Sequence, residues 1–358
     1  MINAFEQLPK GEHGMQPQAK GASTAASSAP LSYMAWLLFG LLGALAAFYC
    51  SLLALRATDN LPPPAFTNSL CVDEKLSFLR EHPVRSPNLL VIGSSVAWRH
   101  FDSATVARIS PSIQPLNGGF CGLHANQAVF AANWLLDRQP TVQQVLMIVA
   151  PQDFAECRKK PTAVFDREDV DGFVYGGASR WPYYMQYFSP GSLIGNARRV
   201  KDKRANLIEF DPLAFTPFAD GPLNTKSSNP TLSYGRPEAL DSTCFAALKS
   251  LASRVQQEGR QLMVASTPLH PDWKAQYDPD AAFSNDFDAK LLEALKPTHA
   301  RYWDGDKEWK TDPSSFTDAI HLRWSAAQEF SAVLARHLLS PSTSGAASLP
   351  RDAIALRR

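Results

Sequence analysis

The chain has 358 residues, 45% of them hydrophobic, which suffices for one large domain or two small ones. Its 35 basic and 34 acidic side chains leave a formal charge of +1, so there is no electrostatic case for a nucleic-acid partner. The one basic cluster, RRVKDKR at 198–204, is short, contains an acid and reads as a solvated face. Five cysteines, Cys50, Cys71, Cys121, Cys157 and Cys244, form no CxxC pair and no Cys/His spacing suited to zinc. No metal and no cofactor is implied.

Residues 1–30 are polar and rich in Gly, Ala, Ser and Gln, the composition of a disordered tail. No charge then appears between Lys20 and Arg56. The apolar stretch at 31–56 is long enough to cross a hydrocarbon layer of roughly 30 Å as a helix. Tyr33, Trp36 and Tyr49 lie near its ends, where aromatic rings favour the interface. The length of the run, the long leader and the lack of a small-x-small cleavage site favour an uncleaved anchor over a signal peptide. The expectation is a single-pass protein of the cytoplasmic membrane with a short cytoplasmic tail and an extracytoplasmic body. Residues 57–85, with NLPPPAF at 60–66, read as a stiff spacer.

From residue 86 to about 340 strand and helix patterns alternate. NLLVIGS is a fully apolar strand, and DSATVARIS a short helix with Asp102 as its cap. SIQPLN is a second strand, HANQAVFAANWLLDR a helix, and VQQVLMIVA a third strand. Residues 155–235 break the pattern with Pro, Gly and aromatics and read as an inserted subdomain or lid. Then come a helix closed by Gly259, the strand RQLMVAS, the helix SNDFDAKLLEALK and a weak strand, ARYWDG. In the last helix Ser325 and Gln328 form a capping box ahead of an apolar stripe through Ala327, Phe330, Val333, Leu334 and Leu338. Residues 341–358 read as a flexible tail. Apolar strands separated by helices imply a central parallel sheet covered on both faces, a three-layer α/β/α sandwich.

Chemistry in such sheets collects at the carboxyl ends of the strands. Ser94 and Ser95 follow the first strand pattern. Asn117, Gly118, Gly119 and Gly122 follow the second, and Gln152 and Asp153 the third. Asp318 and His321 sit on the loop before the last helix. Three residues apart on a tight loop, the carboxylate can hold one ring nitrogen of the histidine while the other takes a serine proton. Together these residues supply a nucleophile, a base, an acid to orient it and amide donors, the inventory of acyl transfer.

Over residues 86–157 and 237–340 the chain resembles the SGNH hydrolases, also called GDSL-type esterases. The resemblance rests on Gly93-Ser94-Ser95, on NGGFCG at 117–122, on APQDF at 150–154 and on Asp318-Ala319-Ile320-His321. It implies Ser95 as the nucleophile, His321 and Asp318 as its base and orienting acid, and Ser95, Gly122 and Gln152 as oxyanion donors. Two positions depart from the family pattern: Ser94 replaces an acid and Gln152 an asparagine. The extra methylene of Gln152 moves its donor by about a bond length, and loss of one donor can cost about a hundredfold in rate.

The resemblance further implies an anchored serine esterase or O-acyltransferase acting on an envelope or exported polysaccharide. A multispanning membrane acyltransferase would be its partner and the anchor its contact with lipid, as in alginate O-acetylation or teichoic-acid D-alanylation. The alternative is a non-catalytic glycan-binding or assembly protein on the same fold. In the insertion, Trp181, Tyr183 and Tyr184 with Arg198 and Arg199 could bind sugar, or the aromatics could form the subdomain's own core. For the cysteines of the body two readings stay open: buried free thiols, or a bridge between Cys121 and Cys157, which follow neighbouring strands.

Overall fold

A computed structural model describes residues 29–205, 212–224 and 235–339 and divides the chain into two units, 1–54 and 55–358. The first holds most of one helix, α1 (Ala29–Ala57). Its stretch from Leu31 to Ala57 is long and apolar enough to span a membrane. The remainder of the expected leader and the tail at 341–358 lie outside the described residues.

The second unit begins with α2 (Leu70–Glu81). It continues through β1 (Leu89–Gly93), α3 (Ser95–His100), α4 (Ser103–Ile109), β2 (Pro115–Asn117), α5 (Ala125–Arg138) and β3 (Gln144–Val149). Four short helices follow in the region read as an insertion: α6 (Arg167–Val174), α7 (Trp181–Gln186), α8 (Pro190–Ala197) and α9 (Val200–Ala205). The chain then forms α10 (Ser242–Gln257), β4 (Gln261–Ser266), α11 (Pro271–Tyr277), α12 (Ala282–Leu295), β5 (Arg301–Asp304), α13 (Gly305–Glu308) and α14 (Trp324–Leu334).

The five strands make one parallel sheet in the order β2-β1-β3-β4-β5. Alternate residues along each strand feed two separate cores. Leu90, Ile92, Val145, Met147, Leu262 and Val264 pack with Leu135, Leu248, Leu251 and Leu291 of α5, α10 and α12. Leu89, Val91, Leu146, Ile148, Met263 and Ala265 pack with Val96, Val106, Phe330 and Leu334 of α3, α4 and α14. Strands buried on both faces carry no polar alternation, which is why they read as continuous apolar runs. Each fully buried aliphatic side chain contributes about 1.5–3 kcal/mol. Strand order reverses between β1 and β3, so their carboxyl ends open a crevice at the switch point of the sheet.

Three expectations are corrected. Residues 57–85 are not a bare spacer. Leu61 and Pro62 to Pro64 are buried, and α2 packs Val72, Leu76 and Leu79 into the core. The helix was hidden because Asp73, Glu74 and Lys75, which make the sequence look solvated, are themselves buried. The last helix starts at Trp324 with Arg323 at its cap position and no side-chain cap. Ser325 therefore lies inside the first turn and forms no capping box. The four cysteines of the body are bridged, as Cys71–Cys121 and Cys157–Cys244, and not as Cys121–Cys157. Cys121 faces α2, and Cys157 faces the first turn of α10. Closing loops of 50 and 87 residues, each bridge is worth about 4 kcal/mol in the chain-entropy account.

The sharpest local constraint is the exit from β1. Gly93 has φ +140°, and a Cβ built there would lie 2.4 Å from the Ile148 carbonyl oxygen and 2.8 Å from the Ala97 Cβ. We predict that Gly93→Ala lowers stability by roughly 2–5 kcal/mol, combining backbone strain with overpacking. Thermal melting of the full chain in detergent measures the loss, and an unchanged Tm would mean that the strand exit can shift.

Candidate active site

Ser95 is the first residue of α3, at the carboxyl end of β1. Ser94 precedes it as the helix cap, its Oγ accepting from the Val96 N–H at 3.4 Å while its hydroxyl bonds to Asp153. Of the two hydroxyls, Ser94 is thus buried and committed to structure, and Ser95 is free to face the crevice.

The loop between α13 and α14 brings Asp318 and His321 to that hydroxyl. It is closed by a short antiparallel bridge between Phe316 and Leu322 and by the Thr317 N–H donating to the His321 carbonyl at 2.8 Å. Asp318 Oδ1 accepts the backbone N–H groups of Ile320 and His321 at 2.9 and 2.8 Å. Its Oδ2 lies 2.7 Å from His321 Nδ1, and His321 Nε2 lies 2.8 Å from Ser95 Oγ. Burial opposes the charge on Asp318, but the His321 ring and these hydrogen bonds outweigh it and hold its carboxyl below the usual range. An ionised Asp318 fixes the proton on Nδ1, leaving the Nε2 lone pair directed at the serine O–H. That arrangement can draw the proton from Ser95 as its oxygen attacks an acyl carbon.

Beneath this series lies a second layer that no sequence motif marks. His100, fully buried at the end of α3, accepts the Leu322 N–H at Nε2 (2.9 Å) and donates from Nδ1 to Thr267 Oγ1 (2.6 Å). Burial pushes its pKa well below the ordinary value, so the ring stays neutral and ties the His321 loop to α3 and β4. Asn117, expected to lead the oxyanion block, is fully buried. Its amide nitrogen bonds to the carbonyls of Ala97 and Trp98 and to Asp220, at 3.1–3.2 Å. It clamps α3 in place and does not face substrate. No sequence signal marks His100 or Asp220, each of which is recognisable only by what it touches.

A cavity of about 390 Å³ opens over Ser95 and His321. Gly122 lines it with φ +67°, a left-handed conformation suited to glycine, and a Cβ there would meet nothing. The loop carrying Gly122 is laid against the end of β1: the Gly118 N–H donates to the Val91 carbonyl and the Phe120 N–H to the Gly93 carbonyl. Gln152 does not line this cavity. It borders another, of about 770 Å³, together with His124, Glu156 and Arg236, and its amide atoms are buried without a hydrogen-bond partner among the described residues. Of the three residues expected as oxyanion donors, Ser95 and Gly122 line the cavity and Gln152 does not.

Of the residues expected to bind sugar, only Arg199 lines the Ser95 cavity, where it stands with Arg99 and Lys203. Arg198 is exposed and away from it. Tyr184 is buried with its hydroxyl on the Pro62 carbonyl at 2.6 Å. Tyr183 meets Phe66 at a tilt and Phe173 edge-on, with ring centres 5.2 and 5.8 Å apart. Trp181 packs by Tyr184 under Arg56. Tyr184 is thus buried, and Tyr183, half-buried, packs at the edge of the core between the 60–66 segment and α6, where burial of aromatic area is favourable, while Trp181 is half-buried beside Tyr184. Among the described residues no three metal-ligating side chains come together.

Comparison with models of known protein families finds no match, and comparison with curated proteins finds none either. Fold and site therefore stand on their own geometry: an α/β chain with a serine, a histidine and an aspartate hydrogen-bonded in series at the carboxyl edge of a parallel sheet.

Asp153 supplies a pH test. Burial pushes its carboxyl up to about 7 against the bonds from the Ala150 N–H (2.9 Å) and Ser94. The folded state then holds this proton more tightly than the unfolded chain. The stability it contributes is complete below the unfolded value of 3.8 and is lost as pH rises through about 7. Asp153→Asn should abolish that component: the Tm of the wild type falls relative to the variant between these two pH values. Parallel curves would mean that Asp153 titrates as it does unfolded.

Proposed function

We propose that this chain is a membrane-anchored serine esterase or O-acyltransferase of the SGNH type, acting on a cell-envelope or exported polysaccharide through an acyl-enzyme on Ser95. The observation that carries the reading is the series Ser95–His321–Asp318, with contacts of 2.8 and 2.7 Å. In the first half-reaction Ser95 Oγ attacks the acyl carbon and its proton passes to His321 Nε2. The oxyanion forms facing the N–H groups of Ser95 and Gly122, and the proton moves on to the departing alkoxide as the ester bond breaks. In the second half a sugar hydroxyl or water gives its proton to His321 and attacks the acyl-serine, and Ser95 recovers a proton as it leaves. Hydrolase and transferase differ in which acceptor reaches the cavity.

Two features support the setting. The apolar helix is long enough to anchor the chain, and two disulfides fit an oxidising, extracytoplasmic space. Arg99, Arg199 and Lys203 line the Ser95 cavity, and no carboxylate does so among the described residues. That lining favours an acidic glycan.

A fluorophosphonate ester should label the full chain in detergent. Ser95→Ala should abolish labelling and turnover of an aryl acetate, and Ser94→Ala should keep the labelling. Labelling that survives in Ser95→Ala would remove the proposal. For the side of the membrane, a reporter active only outside the cytoplasm, fused after Arg358, should be active. A silent fusion, with a cytoplasm-only reporter active at the same point, would withdraw the envelope glycan.

A further inference from the structure

Outside the triad, α2 also reaches the active-site loop. Cys71 and Lys75 lie four residues apart and so share one face of this helix. Both reach the loop that carries Gly122. Cys71 is bridged to Cys121, the residue before Gly122, with Cα atoms 6.3 Å apart. Lys75 Nζ donates to the Gly119 carbonyl and lies 3.4 Å from Asn117 Oδ1. Its Nζ also stands over the rings of Trp98 and Phe120, at 5.6 and 5.4 Å from their centres.

Lys75 is 1% exposed. An apolar side chain of the same length would fill that space without the cost of burying an amine. Packing therefore does not account for a lysine here, whereas its two acceptors on the loop do. Burial pushes its pKa well below the ordinary lysine value, and Asp220 opposes that shift from the far side of the shared Asn117 amide.

The other faces of α2 are tied to different elements. Arg80 donates to the carbonyls of Phe173 and Ala178, both at 2.7 Å. Asp73 accepts from the Thr67 N–H and hydroxyl at 3.0 and 2.9 Å. Glu74, buried, accepts from Arg204 Nε at 3.1 Å. The helix is thus a fixed bracket, and the loop from Asn117 to Gly122 hangs from it at three points.

We infer that Lys75 and the Cys71–Cys121 bridge are positioning residues that set the Gly122 N–H for the oxyanion, making α2 a working part of the active site. The inference rests on the acyl-transfer reading and adds to it an element outside the segments that carry the resemblance. Lys75 is buried and does not line the Ser95 cavity, so its effect should appear in the transition state and not in ground-state binding.

The test uses the full chain in detergent, an aryl acetate for kcat and KM, and the rate of phosphonylation by a fluorophosphonate, whose tetrahedral oxygen occupies the place of the acyl oxygen. Lys75→Met should melt as a folded protein and lose kcat by about a hundredfold, the cost of a displacement of about 1 Å, with KM within about twofold. Lys75→Gln, which keeps a donor, should recover part of that loss. The double variant Cys71→Ser/Cys121→Ser should lower kcat and phosphonylation in parallel, and it decides the matter if Lys75→Met does not fold. Folded variants with kcat and phosphonylation within about twofold of wild type would overturn the inference. A wild type that is never phosphonylated at Ser95 would instead remove the acyl-transfer reading on which it stands.

Discussion

At Gly93 the chain leaves the sheet with φ +140°, pressed so closely against the Ile148 carbonyl and Ala97 that no side chain fits. That contact sets where α3 begins and hence where the Ser95 hydroxyl stands. The same carbonyl end of β1 accepts the N–H groups of Gly118 and Phe120, so one stretch of strand fixes both the nucleophile and the loop bearing Gly122. β1 lies at the switch point of the sheet, where neighbouring crossovers run to opposite faces and leave its end uncovered. The crevice is a product of topology, and the close packing at a single glycine determines what stands in it.

Below the crevice the protein buries polar groups that most cores exclude. His100, Asn117, Asp220, Lys75, Ser103 and Thr267 are all under 4% exposed, and each has partners: Asp220, for example, accepts from Ser103 N–H and Oγ, Thr216 Oγ1 and Asn117. Satisfied networks of this kind stiffen a site because any displacement leaves a buried donor or acceptor without its bond. The orientation of His321 is thus held twice, by Asp318 from its own loop and by His100 from beneath, and α3 is held by Asn117.

The sheet was legible because strands buried on both faces have no reason to carry polar residues, and β1, β3 and β4 read as apolar runs. The serine, aspartate and histidine were legible because their order and their places after strands constrain one another. α2 was not, since Asp73, Glu74 and Lys75 look solvated and their partners, Thr67, Arg204 and Gly119, come from elsewhere in the chain or beyond local spacing. The misreading of α2 carried the cysteine pairing with it: with that helix taken as a spacer, Cys71 offered nothing for Cys121 to meet. For Trp181, Tyr183 and Tyr184 the sequence left two readings open, for a different reason. A cluster of aromatics says that area will be buried but not against what, and here the 60–66 segment and α6 supply the surface.

The two bridges also bear on how the chain can be made. Four cysteines admit three pairings, and the one adopted joins each cysteine to the next along the chain, 71 to 121 and then 157 to 244. The loops neither nest nor interleave. If the body is exported as proposed, the part next to the anchor leaves the membrane first and presents Cys71 and Cys121 to each other before Cys157 has appeared, so the first bridge is sealed when the second pair arrives. Oxidation in order of arrival then yields the native set with no shuffling. Because the first bridge closes within the first 121 residues, the loop bearing Gly122 can be tethered before β3, β4 and the His321 loop exist to be assembled around it.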